Sequence, residues 1–329
     1  MYDKLRTRQL RRTYSTQGWA LLIYYVILNA VVMTFMICDS LVQSAVAVFT
    51  GVIPDSMTMT ERMIGNSGWG YIIAILAGLG LLLLWKEPTF CFKTIWQRGK
   101  PMKFGSFLAI LAIFTSAQLG GQLLSMALEF LMNIFGFSAT EALEGASLSM
   151  DSLSMFLYVG VGAPISEEIL FRGLMLRSMQ PYGKKFAIFA SALIFGLYHA
   201  NIIQTPFAFV VGLVMGYVAV EYNIGWAIVL HMFNNLILND TMFRLFDHLP
   251  APWNEYWFLI VIVASALIGG IVLIAKRRKI KLWLKMNPDD RFCARAFWTA
   301  PGILVLVFVL LGLTMFTIFS MFLTALTLP

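Results

Sequence analysis

Two adjacent carboxylates and an arginine lie within the otherwise apolar stretch GAPISEEILFRGL, residues 162–174. An ionised side chain in hydrocarbon costs roughly 3 kcal/mol on insertion scales, so such residues pair with one another or line a cavity. Glu168 and Arg172 are four residues apart and share a helix face, which predicts an ion pair between them; the alternative is that this pair only holds helices together. Glu167 points about 100° round the helix axis from Glu168, so its partner must come from another helix.

Two of the three histidines also occur in apolar stretches: His199 in FGLYHA and His231 in LHMFNN. An imidazole in hydrocarbon needs hydrogen-bond partners and usually faces a cavity or another ionisable group. Asn235 is one helical turn beyond His231, so the two side chains are predicted to share a face. We therefore expect Glu167, His199, His231 and Asn235 to surround one polar pocket.

The residue types in this pocket suit peptide-bond hydrolysis. A carboxylate and a neutral imidazole that share a water activate it as a nucleophile, while a second histidine and an amide donate hydrogen bonds to the developing oxyanion. Zinc is the nearest alternative, with Glu167, His199 and His231 as its ligands, although two histidines do not bracket the glutamate on one helix here. A proton relay in a transporter is a third alternative. The favoured prediction requires no cofactor.

At these residues the chain resembles the CPBP family of intramembrane endopeptidases, which includes CaaX-prenyl-protein proteases and bacteriocin-processing enzymes. The family motifs EExxxR, FxxxH and HxxxN/D correspond here to Glu167 to Arg172, Phe195 to His199 and His231 to Asn235, in that order. The resemblance spans about residues 150 to 245. Three motifs together, each in an apolar segment, are far more specific than any one of them.

The resemblance also implies a role for each motif residue. Glu167 and His199 would activate the attacking water, and His231 and Asn235 would form the oxyanion site. Supporting residues would order the pocket or pack beneath it: Glu168, Arg172 and Phe195.

The composition predicts an all-α, polytopic transmembrane helix bundle. Of 329 residues, 59% are hydrophobic and 12% charged, and several apolar runs reach the roughly 20 residues that span a bilayer. Hydropathy predicts nine spans, with eight as the alternative. They lie near residues 19–37, 69–85, 104–128, 153–176, 186–203, 206–220, 224–243, 256–275 and 301–325. Within the fourth span, Pro164 is predicted to begin a new helical segment and so to place both glutamates near a helix N-terminus, where negative charge is favoured.

The charge distribution predicts an orientation in the membrane. The net charge is +7, and 21 of the 24 lysines and arginines lie in the N-terminal tail or in the loops around 86–103, 177–185 and 276–299. Positive residues favour the cytoplasmic side, which places the N-terminus there. The exceptions are Arg62, Arg172 and Arg244. The run KRRKIKLWLK is predicted to contact anionic lipid, and we expect no nucleic-acid partner.

The chain is predicted to be organised around its motifs. Residues 1–150 would form an N-terminal tail and accessory helices, residues 151–248 the catalytic core, and residues 249–329 further accessory helices. The expected partners are membrane lipids and a peptide or protein substrate, in a bacterial cell membrane; no oligomeric state is predicted. From a different class, the alternative is a non-catalytic membrane protein of bacteriocin-immunity or scaffold type. The three cysteines are too dispersed to predict a disulfide or a metal cluster.

Overall fold

A computed structural model describes residues 2–51, 67–134 and 150–327 of the chain. Within these ranges the regular elements are all helical, which confirms the all-α prediction. Of the residues on which the orientation depends, Arg62 lies outside the described ranges.

Nine principal helices make up the described chain. They are α1 Tyr2–Thr50, α2 Trp69–Trp85, α3 Phe104–Ile134, α4 Leu153–Tyr182, α5 Lys184–Tyr198, α6 Gln204–Glu221, α7 224–247, α8 Trp253–Met286 and α9 Pro301–Thr327. Two short helical segments, Phe90–Thr94 and Cys293–Phe297, lie between them.

Six of the described helices, α1, α3, α4, α6, α8 and α9, are long and apolar enough to cross a membrane, and α2 is a shorter apolar helix. The protein is therefore a multi-pass membrane protein, as predicted. The number of spans and the cytoplasmic N-terminus stay predictions, as do the three domain boundaries.

Helices α4 to α7 form the centre of the molecule. Each packs on the next, and α7 returns to contact α4. The connections between them are short, which favours one compact bundle. Around this centre, α1 packs against α2 and α9, while α3 packs against α6 and α8.

A small-residue face at Gly212 and Gly216 lets α6 approach α5 closely. A Cβ at Gly212 would lie 3.1 Å from the Ala192 side chain, and one at Gly216 would lie 3.1 Å from that of Ile188. A larger side chain at either position would have to displace its neighbours, so the two glycines serve close helix packing.

The α-helical segment Ala163–Glu168 begins beside Pro164, as predicted, but the predicted helix N-terminus is absent because α4 is continuous there. Helix α4 runs through the proline, with wide π-type turns at Phe156–Gly162 and Ile169–Leu176 on either side of the α-helical segment Ala163–Glu168. Proline has no N–H and disturbs the regular ladder of hydrogen bonds. A wide turn accommodates that disturbance, and hydrocarbon favours keeping the rest of the backbone paired. Glu167 and Glu168 therefore lie in the middle of α4.

Candidate active site

The centre of the site is a fully buried ion pair on α4. Arg172 Nη1 donates to Glu168 Oε1 at 2.7 Å, and both side chains are 0% exposed. Arg172 Nη2 also donates to the carbonyl oxygen of Gly212 on α6, at 3.3 Å. The pairing predicted from the four-residue spacing is confirmed. It also links two helices, so the pair contributes to structure as well as to the site.

His231 brings α7 into the same cluster. Its Nδ1 lies 3.0 Å from Glu168 Oε1, and its ring is buried. Since an ionised carboxylate only accepts hydrogen bonds, this contact assigns the proton to Nδ1. His231 Nε2 then faces Glu167, at 3.8 Å from Oε2.

Glu167 differs sharply from its neighbour. Its side chain is 27% exposed, whereas that of Glu168 is 0% exposed. Among the described residues its carboxylate has no hydrogen bond, and its only ion-pair contact is the long one to His231. The sequence predicted that the partner of Glu167 lies on another helix, and that helix is α7, which carries His231. Glu168 Oε2 also has no hydrogen bond among the described residues, but it is buried. Glu167 is thus the carboxylate whose free acceptor capacity is open to water or substrate.

His199 lies at the C-terminal end of α5, against the ring of Phe195. Its Nδ1 is 2.9 Å from the carbonyl oxygen of Phe195, which fixes the proton on Nδ1 and leaves a lone pair on Nε2. The Phe195 ring centroid is 5.0 Å from that of His199 and 5.8 Å from that of His231. The Arg172 guanidinium stacks over the same ring, 4.3 Å from its centroid. Phe195 therefore joins both histidines and the buried ion pair by packing.

Asn235 reaches α4 rather than His231. It lies in the wide π-type turn Phe233–Thr241. Its Nδ2 donates to the carbonyl oxygen of Val159 at 2.8 Å, and its Oδ1 accepts from Asn234 Nδ2 at 3.2 Å. The structure thus brings together Glu167, Glu168, Arg172, Phe195 and His231. His199 joins them through Phe195, and Asn235 through the backbone of α4.

The described residues do not form a ready metal site. No group of three or more His, Cys, Asp or Glu side chains among them is arranged to hold a metal ion. The three ligands of the zinc alternative, Glu167, His199 and His231, are therefore not arranged as a metal site in this structure.

Three tyrosines near Glu167 escaped the sequence analysis: Tyr24, Tyr158 and Tyr198 each interact electrostatically with its carboxylate. Tyr198 directly precedes the motif residue His199, so its position in the sequence was a signal that could have been read. Tyr24 lies in α1, far from every motif, and only the tertiary structure brings it to the site.

Comparison with known proteins supports the assignment of the motifs. Residues 149–237 match the family model described as type II CAAX prenyl endopeptidase, Rce1-like, which covers under a third of the chain. Searches of curated proteins and of solved structures found no match. The matched segment contains all three motifs and the cluster around Glu168. The match supports the resemblance to the CPBP and CaaX protease family: residues 149–237 are similar to type II CAAX prenyl endopeptidases of the Rce1-like type.

Proposed function

We propose that the protein is an intramembrane endopeptidase in which Glu167 activates the attacking water, with no covalent intermediate. The observation that carries this proposal is the contrast between two adjacent glutamates. Glu168 is fully buried and bonded to both Arg172 and His231. Glu167 is partly exposed and has no hydrogen bond among the described residues. A general base needs free acceptor capacity within reach of its substrate. Glu168 Oε2 likewise has no hydrogen bond in the described part of the chain, but it is fully buried, so Glu167 is the one of the two carboxylates that meets both conditions.

His199 is the second group proposed to bind the water. Its Nδ1 proton is directed to the carbonyl oxygen of Phe195, so Nε2 is an acceptor in the neutral imidazole. A carboxylate and this nitrogen together can hold a water and take its proton as it attacks the scissile carbonyl.

His231 and Asn235 are the proposed oxyanion donors. When His231 is protonated, it donates from Nε2 while Nδ1 stays bonded to Glu168. Asn235 Nδ2 donates to Val159 in this structure, so using it at the oxyanion means exchanging that bond for one to the substrate. Glu168, Arg172 and Phe195 hold these groups in place.

The proposed substrates are peptide or protein segments delivered at the membrane, such as precursors, leader peptides or prenylated C-terminal segments of the kind named by the matched family. We propose a bacterial cell membrane as the location, membrane lipids as partners and no nucleic-acid partner. The glutamic, metal-free mechanism is preferred over the zinc-dependent one because Glu167, His199 and His231 are not arranged as a metal site.

The test is proteolysis by purified protein in liposomes, with and without a chelator. The substrates are a library of membrane peptides and a prenylated CAAX peptide paired with its unprenylated form. Removing a general base costs about 10²- to 10⁴-fold, so Glu167→Gln and His199→Ala should each lose cleavage by that order. His248→Ala changes an exposed histidine outside the site and serves as the matched control.

Each outcome discriminates between the candidates. Cleavage that is lost in both site variants and unaffected by chelator supports the proposal. Chelator-sensitive cleavage that zinc restores selects the metal-dependent alternative. Folded wild-type protein that cleaves none of these substrates selects the non-catalytic immunity or scaffold alternative.

A further inference from the structure

Two buried tyrosine hydroxyls near Glu167 lack a hydrogen-bond partner. Tyr24, on α1, is 5% exposed. The hydroxyl oxygens of Tyr24 and Tyr198 are both buried and unpaired among the described residues. Ser166 Oγ is close to Tyr24 but outside hydrogen-bond geometry, and it donates instead to the carbonyl oxygen of Ala163. Since a buried tyrosine hydroxyl normally finds a partner, two unpaired ones at one site call for a reason.

Packing fixes both tyrosine rings, so neither hydroxyl can turn to solvent. Gly78 of α2 lies directly against the Tyr24 ring, where any Cβ would collide with it. The Tyr198 ring packs edge-on against Phe171 and Tyr25, with centroid distances of 5.1 Å and 5.0 Å. The hydroxyls therefore remain beside the carboxylate with which they interact.

The unpaired groups are complementary. Within the described ranges, each hydroxyl is a donor without an acceptor, and Glu167 is an acceptor without a hydrogen bond. His231 Nε2, at 3.8 Å from Glu167 Oε2, is too distant for a direct bond. At such separations a bridging water joins polar groups at little cost.

We infer that Tyr24 and Tyr198 are positioning residues, whose hydroxyls donate hydrogen bonds to the carboxylate of Glu167 and to the water it holds. This inference rests on the proposed function and adds a residue from α1, outside the matched segment, to the reaction site. The phenols act through Glu167: they aim a lone pair of its carboxylate at the water. No bond to either tyrosine forms or breaks.

The kinetic test compares Tyr24→Phe, Tyr198→Phe and the control Tyr25→Phe in liposomes. Each change removes only a hydroxyl and keeps the ring. Tyr25 also lies on α1 and contacts the Tyr198 ring, but it has no described interaction with Glu167. Hydrogen bonds to charged groups are strong, so kcat should fall about tenfold in each site variant with KM nearly unchanged. Tyr25→Phe should stay within about twofold of wild type.

The pH profile separates positioning from mere packing. The groups around Glu167 that titrate or carry charge come from four helices: Glu168, Arg172 and Tyr158 on α4, Tyr24 on α1, Tyr198 and the adjoining His199 on α5, and His231 on α7. Losing a donor to the carboxylate destabilises its ionised form. The acid limb of kcat/KM should therefore move to higher pH in Tyr24→Phe and Tyr198→Phe, but not in Tyr25→Phe.

A second measurement needs no turnover. Infrared difference spectra identify the Glu167 carboxyl band by its loss in Glu167→Gln, and a pH titration of that band gives its protonation midpoint. The midpoint should rise in both site variants. Site variants that match Tyr25→Phe in kcat and in this midpoint would overturn the inference, even if cleavage depends on Glu167. Cleavage that is independent of Glu167 would instead refute the proposed function, while the band titration still decides whether the tyrosines contact the carboxylate.

Discussion

Two ion pairs on the central helices share their geometry and differ in their surroundings. Glu168–Arg172 on α4 and Asp240–Arg244 on α7 both join residues four apart, and both have an N–O distance of 2.7 Å. The first pair is 0% exposed at both side chains, whereas in the second Arg244 is 53% exposed and Asp240 16%. Arg244 also pairs with the exposed carboxylate of Asp151 at 2.9 Å.

The comparison shows that burial, more than contact geometry, sets how much a charged pair matters. Water and salt screen an exposed pair, so its net contribution is small. Removing one partner of a buried pair leaves an uncompensated charge in a medium that solvates it poorly. The buried pair is also bonded to Gly212 and His231, so its loss would disturb three helices at once.

Arg172→Leu tests the buried pair most directly. It leaves Glu168 with His231 as its only described partner, so the free energy of unfolding should fall by about 3–5 kcal/mol. Reversible unfolding in detergent micelles measures this change. The double variant Glu168→Leu with Arg172→Leu removes both charges and should recover most of the loss. A single variant as stable as wild type would mean that water reaches Glu168.

Gly212→Val disturbs the buried pair without removing a charge. The new Cβ would meet Ala192 at 3.1 Å and Arg172 Nη2 at 3.2 Å, and such overpacking costs about 1–3 kcal/mol. Gly80→Val is the matched control, because a Cβ at Gly80 would have nothing within 4 Å. Thermal unfolding of the two variants in the same detergent provides the measurement. Equal effects would contradict a packing cause specific to Gly212.

Asp290→Asn tests a pair of intermediate burial, in the segment between α8 and α9. Arg6 Nε contacts Asp290 Oδ2 at 2.8 Å, with the side chains 29% and 17% exposed. Burial alone would raise the pKa of Asp290, but hydrogen bonds from the Phe292 backbone and Arg6 outweigh it and hold the pKa below its usual value. The pair should contribute about 0.2–1 kcal/mol at neutral pH.

The pH dependence of this contribution has a definite sign. A carboxylate with a lowered pKa in the folded state stabilises the protein above its unfolded pKa, and that stability is lost as pH falls through the folded value. The difference in unfolding free energy between wild type and Asp290→Asn should therefore shrink between neutral pH and about pH 3. A constant difference over that range would exclude ionisation of Asp290 as its source.

Arg244→Gln should have the smallest effect. The arginine is largely solvated and both of its partners carry water-accessible charge, so we expect no measurable change in the unfolding midpoint at physiological salt. Any shift of the unfolding midpoint should be confined to low ionic strength, where salt does not screen the exposed charges. A shift as large as that of Arg172→Leu would refute the importance of burial.

The sequence predicted what depends on spacing and composition. The four-residue spacing predicted the Glu168–Arg172 pair, and the apolar runs predicted the helices. The three motifs predicted the segment that matches the endopeptidase family model. The sequence did not predict that α4 continues through Pro164, because helix preference alone does not indicate the wide turns on either side of the proline. It also missed Tyr24, since no local pattern marks a residue whose role comes only from long-range packing. The sequence also did not predict the hydrogen bond from Asn235 to the Val159 carbonyl oxygen, because that bond depends on how α7 packs against α4.

The packing of α1 beside Glu167 limits how the protein can be divided. A graft of residues 149–237 into another membrane protein would carry the glutamates and both motif histidines, but it would leave behind Tyr24 and the α2 surface at Gly78 that holds its ring. Chimaeras between relatives should therefore exchange α1 and α2 together with the motif helices. The unit that recombines as a whole is larger than the unit that the family motifs define.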